Sequence, residues 1–217
     1  MEELDALHAA MAEEYSDHNI TLVQANSLKP SMGRNFLIKC LVAVALAAIF
    51  LVIYVALRFR KIGGWSAGAM AVVALFHDLL IAFFAFVVFR IPLNDNFVAV
   101  LLSILGYSLN ATIVVYDRIR ENRRLMDAKT PLSEIVNVSL NQSFTRTLNT
   151  SICTFLAIGT VAVIALAMNL ESIVSFAVPM MFGVLSGFYS SVCLCSPTWV
   201  LWQEHRDKKE ALKKAAG

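Results

Sequence analysis

Charged residues are scarce in this chain. Asp, Glu, Lys and Arg make up 16 % of its 217 residues, whereas hydrophobic residues make up 58 %. A soluble globular domain carries about a quarter of its residues as charges. The shortage argues against an ordinary soluble domain and indicates that most of the chain lies in a lipid bilayer.

Paired cysteines and metal-ligand clusters are also missing. The four cysteines lie in apolar runs, with no CxxC pair and no histidine at ligand spacing: Cys40, Cys153, Cys193 and Cys195. They are typical of small packing residues, so we expect no disulfide framework or metal site. No span carries a nucleophile and a base at helical spacing, and the basic segments do not interleave aromatic residues. We therefore expect neither an enzyme nor a nucleic-acid-binding protein.

A cleavable signal pattern is absent as well, because the first residues (MEELDALHAAMAEEYSD) are acidic. Residues 2–15 have an amphipathic helical pattern, and residues 20–23 alternate like a strand. One helix and one strand cannot form a stable core. We therefore expect residues 1–35 to be the C-terminal remnant of a larger extracytoplasmic α/β domain, whose first part and preceding span are missing. A short interfacial tail is the alternative.

Long apolar runs dominate the rest of the chain. A helix needs about 20 apolar residues to cross a hydrocarbon core about 30 Å thick, and an isolated strand cannot satisfy its backbone in lipid. Five runs are long enough: 36–57, 65–89, 97–116, 147–168 and 173–195. The sequence therefore predicts an all-α membrane bundle of five transmembrane helices, with the transmembrane domain at 36–203.

Basic residues are lacking in two of the connections. IPLND and NLES contain no Lys or Arg, whereas the opposite side of the bundle carries 13 of the 18 basic residues. The thirteen basic residues lie after the first span, after the third span and in the segment 204–217. The positive-inside rule predicts that this side, including a basic tail at 204–217, is cytoplasmic and that residues 1–35 are outside. Residues 117–124 (DRIRENRR) are either a solvated helix end or a contact for anionic membrane lipids.

Ionisable residues inside a span are costly and mark function or helix–helix contact. His77 and Asp78 lie near the middle of the span 65–89. Neighbours on a helix point about 100° apart, so we expect that the two cannot act as one unit on one face. A polar lock between helices and a role in proton transfer are both open.

A polar stripe follows one face of the span 97–116. Ser103, Tyr107, Asn110, Val114 and Asp117 recur at steps of four and three. Such a stripe faces the interior of a bundle or a path filled with water. Small residues also allow close helix approach, in the GxxxG of the last span and in two other spans: Gly183, Gly187, Gly106 and Gly159.

Arg146 begins the span 147–168 and can reach the depth of position 111, about 8 Å inside the boundary. Asp78 is about 20 Å from the same boundary, too far for direct pairing with Arg146. Arg146 is thus expected to have polar neighbours such as Asn110 but no acid at its own depth. Snorkelling of Arg146 to the interface is the alternative.

The motifs around these residues resemble the SecF family of protein-export membrane subunits. The matching stretches are YVALRFR, ALFHDLLI, GYSLNATIVVYDRIREN, NVSLNQSFTRTLNTS and GVLSGFYSS. The resemblance implies an RND-type fold, with six helices and one extracytoplasmic domain after the first. It also implies a role in a bacterial or archaeal cell membrane, without an organic cofactor. There the subunit acts with SecD and the SecYEG channel and uses the proton-motive force to move preproteins.

One position departs from the family pattern. The resemblance implies an aspartate after Asn110, acting in proton coupling with the arginine matched by Arg146, but this chain has Ala111. A methyl group cannot exchange a proton, and neither can the amide of Asn110. Asp117 lies about a turn and a half further on. We therefore expect impaired proton coupling at this site. A non-coupling scaffold subunit and another RND-type exporter are the alternatives.

Overall fold

The computed structural model describes residues 30–60, 63–127 and 129–215. The chain divides into two compact units, residues 1–41 and residues 42–217. The helix predicted at 2–15 and the strand predicted at 20–23 lie outside the described residues. Helix α1, Pro30–Arg58, begins within the segment 1–35 that the sequence assigned to an extracytoplasmic domain.

Long helices make up the described part of the chain, without a strand. After α1 come α2, Gly64–Val88; α3, Asp95–Leu125; α4, Leu132–Ala167; and α5, Glu171–Tyr189. A π-helical stretch, Ser190–Cys195, then leads into α6, Ser196–Ala215. Five helical stretches of the described chain are long and apolar enough to cross a membrane. The predicted all-α membrane bundle with five transmembrane helices is confirmed.

The helices extend beyond the spans that hydropathy marks. α3 runs to Leu125 and α4 begins at Leu132, so the basic connection between them is largely helical. Asn94 caps α3, accepting a hydrogen bond from the Asn96 amide at 3.1 Å, and the last turn carries arginines that suit the helix dipole. The segment 204–217, predicted as a basic tail, is helical as far as Ala215.

Helix α5 is central to the second unit and packs against α2, α3 and α4. A Cβ on Gly183 would lie 2.1 Å from Cδ1 of Ile104 in α3, and one on Gly187 would lie 3.2 Å from Cβ of Ser108. These two glycines therefore permit close approach of α5 and α3, as the sequence predicted. Gly106 has no such role, because a Cβ there meets nothing within 4 Å.

A buried aromatic cluster closes the end of the bundle that carries the basic loops. The Tyr116 ring lies 5.5 Å from that of Phe59 and 5.8 Å from that of Trp199, in edge-to-face geometry. Trp199 Nε1 donates to Ser66 Oγ at 3.0 Å. α6 is therefore fixed to the start of α2 by packing and by a buried hydrogen bond.

Candidate intramembrane polar site

Asp78 lies at the centre of the bundle, on α2, with none of its side chain exposed. Its Oδ1 accepts a hydrogen bond from Ser186 Oγ at 2.6 Å. Its Oδ2 accepts from Ser108 Oγ at 2.5 Å and from Ser190 Oγ at 2.7 Å. These three serines, here called the serine cage, come from α3, α5 and the π-helical stretch. A buried carboxylate is costly unless its oxygens are hydrogen-bonded, and the cage meets that requirement.

His77 extends the cage toward the outside of the bundle. Its Nδ1 lies 3.1 Å from Asp78 Oδ1 and 3.3 Å from Ser186 Oγ, and 34 % of its side chain is exposed. The two neighbouring side chains are therefore in hydrogen-bond contact, although their positions on the helix point about 100° apart.

The π-helical stretch, here called the π segment (Ser190–Cys195), allows consecutive residues to face inward. Ser190 bonds Asp78, and Ser191 Oγ lies 3.0 Å from Thr112 Oγ1; both serines are fully buried. One turn further on, Cys195 Sγ lies 3.0 Å from the Tyr116 hydroxyl. The wider π turn thus places a row of polar groups against α3, between the serine cage and Tyr116.

A separate cavity of about 230 Å³ lies between α3 and α4, here called the arginine cavity. Its lining contains much of the predicted stripe together with Arg146: Tyr107, Asn110, Ala111, Val114, Arg146, Thr147, Thr150 and Ser151. The Tyr107 hydroxyl donates to Ser151 Oγ at 2.7 Å. Ser103 is exposed and does not line this cavity. The structure therefore brings Arg146, Asn110 and Ala111 together.

Arg146 has no acid in the arginine cavity. Among the described residues, its exposed guanidinium makes no hydrogen bond or ion pair. Asp78 bonds to His77 and the serine cage and not to Arg146. The methyl group of Ala111 can neither neutralise the arginine nor exchange a proton with it.

A larger cavity of about 670 Å³ continues from Arg146 toward the end of α3. Asp117 lines it and pairs with two arginines: its Oδ1 lies 2.9 Å from Arg120 Nη2 and 3.1 Å from Arg58 Nη2. Asp117 is therefore engaged at the rim of the bundle, with about a third of its side chain exposed. It does not supply the acid that Arg146 lacks.

Sequence reasoning missed the serine cage. Ser186 and Ser190 are four residues apart, a spacing that places both on one helix face and is visible in GVLSGFYSS. Nothing in the sequence shows that this face meets Asp78. The pair between Arg58 and Asp117, 59 residues apart, was missed for the same reason. No group of three or more potential metal ligands occurs within the part of the chain that the structure describes.

Comparison with known proteins agrees with these features. Residues 8–205 match the family model described as protein export membrane protein SecD/SecF, C-terminal. The chain is 37 % identical over 187 residues to SecF of Alicyclobacillus acidocaldarius, covering 86 % of this chain and 59 % of that one. It is 36 % identical over 213 residues to SecF of Petrotoga mobilis, covering 97 % of this chain and 67 % of that one. It is 34 % identical over 198 residues to SecDF of Bacillus subtilis, covering 90 % of this chain and 25 % of that one.

A solved structure has the same fold. The crystal structure of SecDF from Thermus thermophilus, named there a translocon-associated membrane protein, superposes with a TM-score of 0.73 at 31 % identity. The superposition covers 94 % of this chain and 27 % of that one. The chain therefore spans between about a quarter and two thirds of the length of these relatives. The matched family is one of translocase subunits, in agreement with the prediction that this chain is not an enzyme.

Proposed function

The chain belongs to the SecD/SecF family of protein-export membrane proteins, and from this membership we propose that it is an accessory subunit of the Sec export machinery that acts with SecD. The observation that carries the proposal is the family match over residues 8–205. In the Bacillus subtilis relative, SecD and SecF are named together as one translocase subunit. A chain of the SecF type accordingly has a SecD chain as its partner, and the SecYEG channel and preproteins as further contacts.

Co-purification tests the partnership. We expect the tagged chain to retain SecD, and the pair to associate with SecYEG, in a mild detergent. We also expect the pair to speed the appearance of preprotein on the far side of vesicles that contain SecYEG. Binding to neither SecD nor SecYEG would favour the alternative of another RND-type exporter, for which only the shared architecture argues.

The charge distribution supports an orientation with the arginine-rich end of α3 in the cytoplasm. The connections at 91–94 and 169–170 lack Lys and Arg, whereas the cavity at the end of α3 is lined by four arginines: Arg118, Arg120, Arg124 and Arg146. The positive-inside rule places this end in the cytoplasm, next to anionic lipid headgroups. A cysteine at Asn169 should react with a membrane-impermeant maleimide in intact cells, whereas one at Arg123 should react only after lysis. The reverse pattern would show the opposite orientation.

We also propose that Ala111 impairs proton coupling in this chain. Support comes from the arginine cavity, where Arg146 and Ala111 meet without an acid among the described residues. The resemblance implies that coupling needs an aspartate here. We expect a protonophore to leave unchanged the increase in export that this chain and SecD add to vesicles. A large fall in that increase would show that coupling survives.

A scaffold role is the second candidate, and Ala111 is the observation that favours it. Replacing a carboxylate by a methyl group removes a proton site but leaves the packing of α3 against α4 and α5 in place. A scaffold would stabilise SecD without changing proton movement. The half-life of SecD in cells with and without the chain measures this role, and an unchanged half-life would exclude it.

A further inference from the structure

The cavity of about 670 Å³ at the end of α3, here called the rim cavity, is a groove between α3 and α4. It is lined by residues from the segments 113–125 of α3 and 142–146 of α4. Ile113 and Val114 lie at the end nearer the membrane centre, and the exposed Leu125 lies at the outer end. Between these ends, Arg118 Nε donates to Gln142 Oε1 at 2.7 Å. The groove therefore runs from an apolar inner end to a charged outer part.

The charges that line the rim cavity do not balance. Four arginines face it but only two acids. Both acids are already paired: Glu121 with Arg118, and Asp117 with Arg120 and Arg58. Two positive charges of the lining are therefore left without a neutralising carboxylate.

These two charges belong to Arg124 and Arg146. Both side chains are exposed, and neither makes a hydrogen bond or an ion pair with any residue of the ranges 30–60, 63–127 and 129–215. A guanidinium group carries five donors in a planar fork that matches the oxygens of a carboxylate or a phosphate. Both arginines are therefore available to an anion from outside the described chain.

Arg124 and Arg146 lie on either side of the bond between Arg118 and Gln142. Arg124 is six residues, or about 9 Å, further out along α3 than Arg118. Arg146 is four residues, or about 6 Å, further in along α4 than Gln142. The Cα–Cβ bond of a helical residue tilts toward the helix N-terminus. Because α3 and α4 are antiparallel neighbours, this tilt directs Arg124 inward and Arg146 outward, toward the same level.

That level is the depth of the lipid headgroups. Arg118 follows the apolar run 97–116 by two residues, so it lies about 3 Å beyond the hydrocarbon boundary. The headgroup layer is about 5–7 Å thick on each side of the hydrocarbon core. The two guanidinium groups thus approach each other where phosphates of the bilayer lie, and Ile113 and Val114 offer an apolar surface at the depth of the acyl chains.

We propose that the rim cavity binds one anionic phospholipid, with its phosphate on Arg124 and Arg146 and an acyl chain against Ile113 and Val114. Basic pockets between transmembrane helices bind anionic headgroups in this way, by charge-assisted hydrogen bonds to the phosphate. A zwitterionic lipid fits less well, because its cationic group meets two positive charges that are not neutralised. The inference requires a bundle in a membrane, and neither the export role nor position 111.

Lipid titration of the full chain tests the proposal. Native mass spectrometry of the chain in a mild detergent counts the bound lipids and gives their affinity. The probes are phosphatidylglycerol, phosphatidylcholine with the same acyl chains, and inorganic phosphate as a competitor. R124Q, R146Q and the double variant remove the two charges. R123Q is the matched control, because Arg123 is also exposed but does not line the cavity.

One phosphatidylglycerol should bind the parent on the order of tenfold more tightly than phosphatidylcholine. R124Q and R146Q should each weaken it about fivefold, and the double variant about 25-fold, whereas R123Q should weaken it less than about twofold. Millimolar inorganic phosphate should not displace the lipid, because it lacks the acyl chain. An unfolding midpoint shared with the parent shows that each variant is folded.

Three results of the titration would overturn the proposal. Equal affinity for the two lipids shows that the cavity does not select an anionic headgroup. An R123Q variant that weakens binding as much as R124Q and R146Q shows a diffuse attraction without a site. Displacement of the lipid by inorganic phosphate shows a site for a free anion.

The chain purified together with SecD tests a protein as the occupant. The lipid should remain bound in the pair, at the affinity found for the chain alone. Its loss on association with SecD would show that the partner covers the cavity and would overturn the proposal. Failure to recover SecD would count against the export role only, because the titration of the chain alone does not depend on it.

Discussion

Helix α3 borders two polar regions with opposite arrangements. On one side, Asp78 is an acid without a Lys or Arg partner in the described part of the chain, fully buried beside His77 and hydrogen-bonded by three serines. On the other, Arg146 is a cation without an acid, exposed in a cavity of about 230 Å³. Water and lipid headgroups can satisfy an exposed guanidinium, but a buried carboxylate depends on protein partners. We therefore expect that the bundle can fold without an acid at position 111, but not without the one at position 78.

The largest expected effect follows from removing the buried acid. D78A leaves three serine donors without their acceptor and opens a small void, so we expect a loss of about 2–4 kcal/mol of stability. Unfolding of the purified chain in mixed detergent micelles, followed by circular dichroism, measures it. D117A is the matched control, because its partly exposed ion pairs contribute less than about 1 kcal/mol. If D78A and D117A lost the same free energy of unfolding, the buried acid would matter no more to stability than a partly exposed one.

Close packing beside the cage gives the next effect. G183A places a Cβ 2.1 Å from Cδ1 of the buried Ile104, so the Ile104 side chain or one of the two helices has to shift. We expect a loss of about 1–3 kcal/mol by overpacking, in the same unfolding assay. G106A meets open space and should be neutral or stabilising by up to about 1 kcal/mol. A G183A variant as stable as the parent would show that α3 and α5 do not depend on this contact.

The smallest effect is expected at the arginine cavity. R146M removes a guanidinium that has no partner among the described residues, so stability should change by less than about 0.5 kcal/mol. R118M is the comparison, since Arg118 donates to Gln142 at 2.7 Å and pairs with Glu121. It should lose up to about 1 kcal/mol. A loss in R146M larger than in R118M would mean that Arg146 has a structural partner.

Hydropathy and charge predicted the architecture well because each signal is local. The five apolar runs correspond to five long helices, and the polar stripe of α3 from Tyr107 to Asp117 lines the cavities. Helix ends were less predictable, since the helical backbone continues through the polar residues up to Leu125 and from Leu132.

The serine cage could not be predicted from a local sequence pattern, because it depends on how the helices pack together. Ser186 and Ser190 look like ordinary small residues of a membrane helix until α5 is placed against α2. The π segment adds a change of register, and only this change brings both Ser190 and Ser191 inward. The imidazole of His77 illustrates the same limit, because its rotamer decides whether it meets Asp78.

Proton flux provides the most direct test that Ala111 leaves the arginine cavity without a coupling acid. Vesicles containing this chain and SecD, with a pH gradient and an internal pH dye, should acidify more quickly with A111D than with the parent. A111N, which has a similar size and no titratable group, should match the parent. A parent that already conducts protons as fast as A111D would contradict the account.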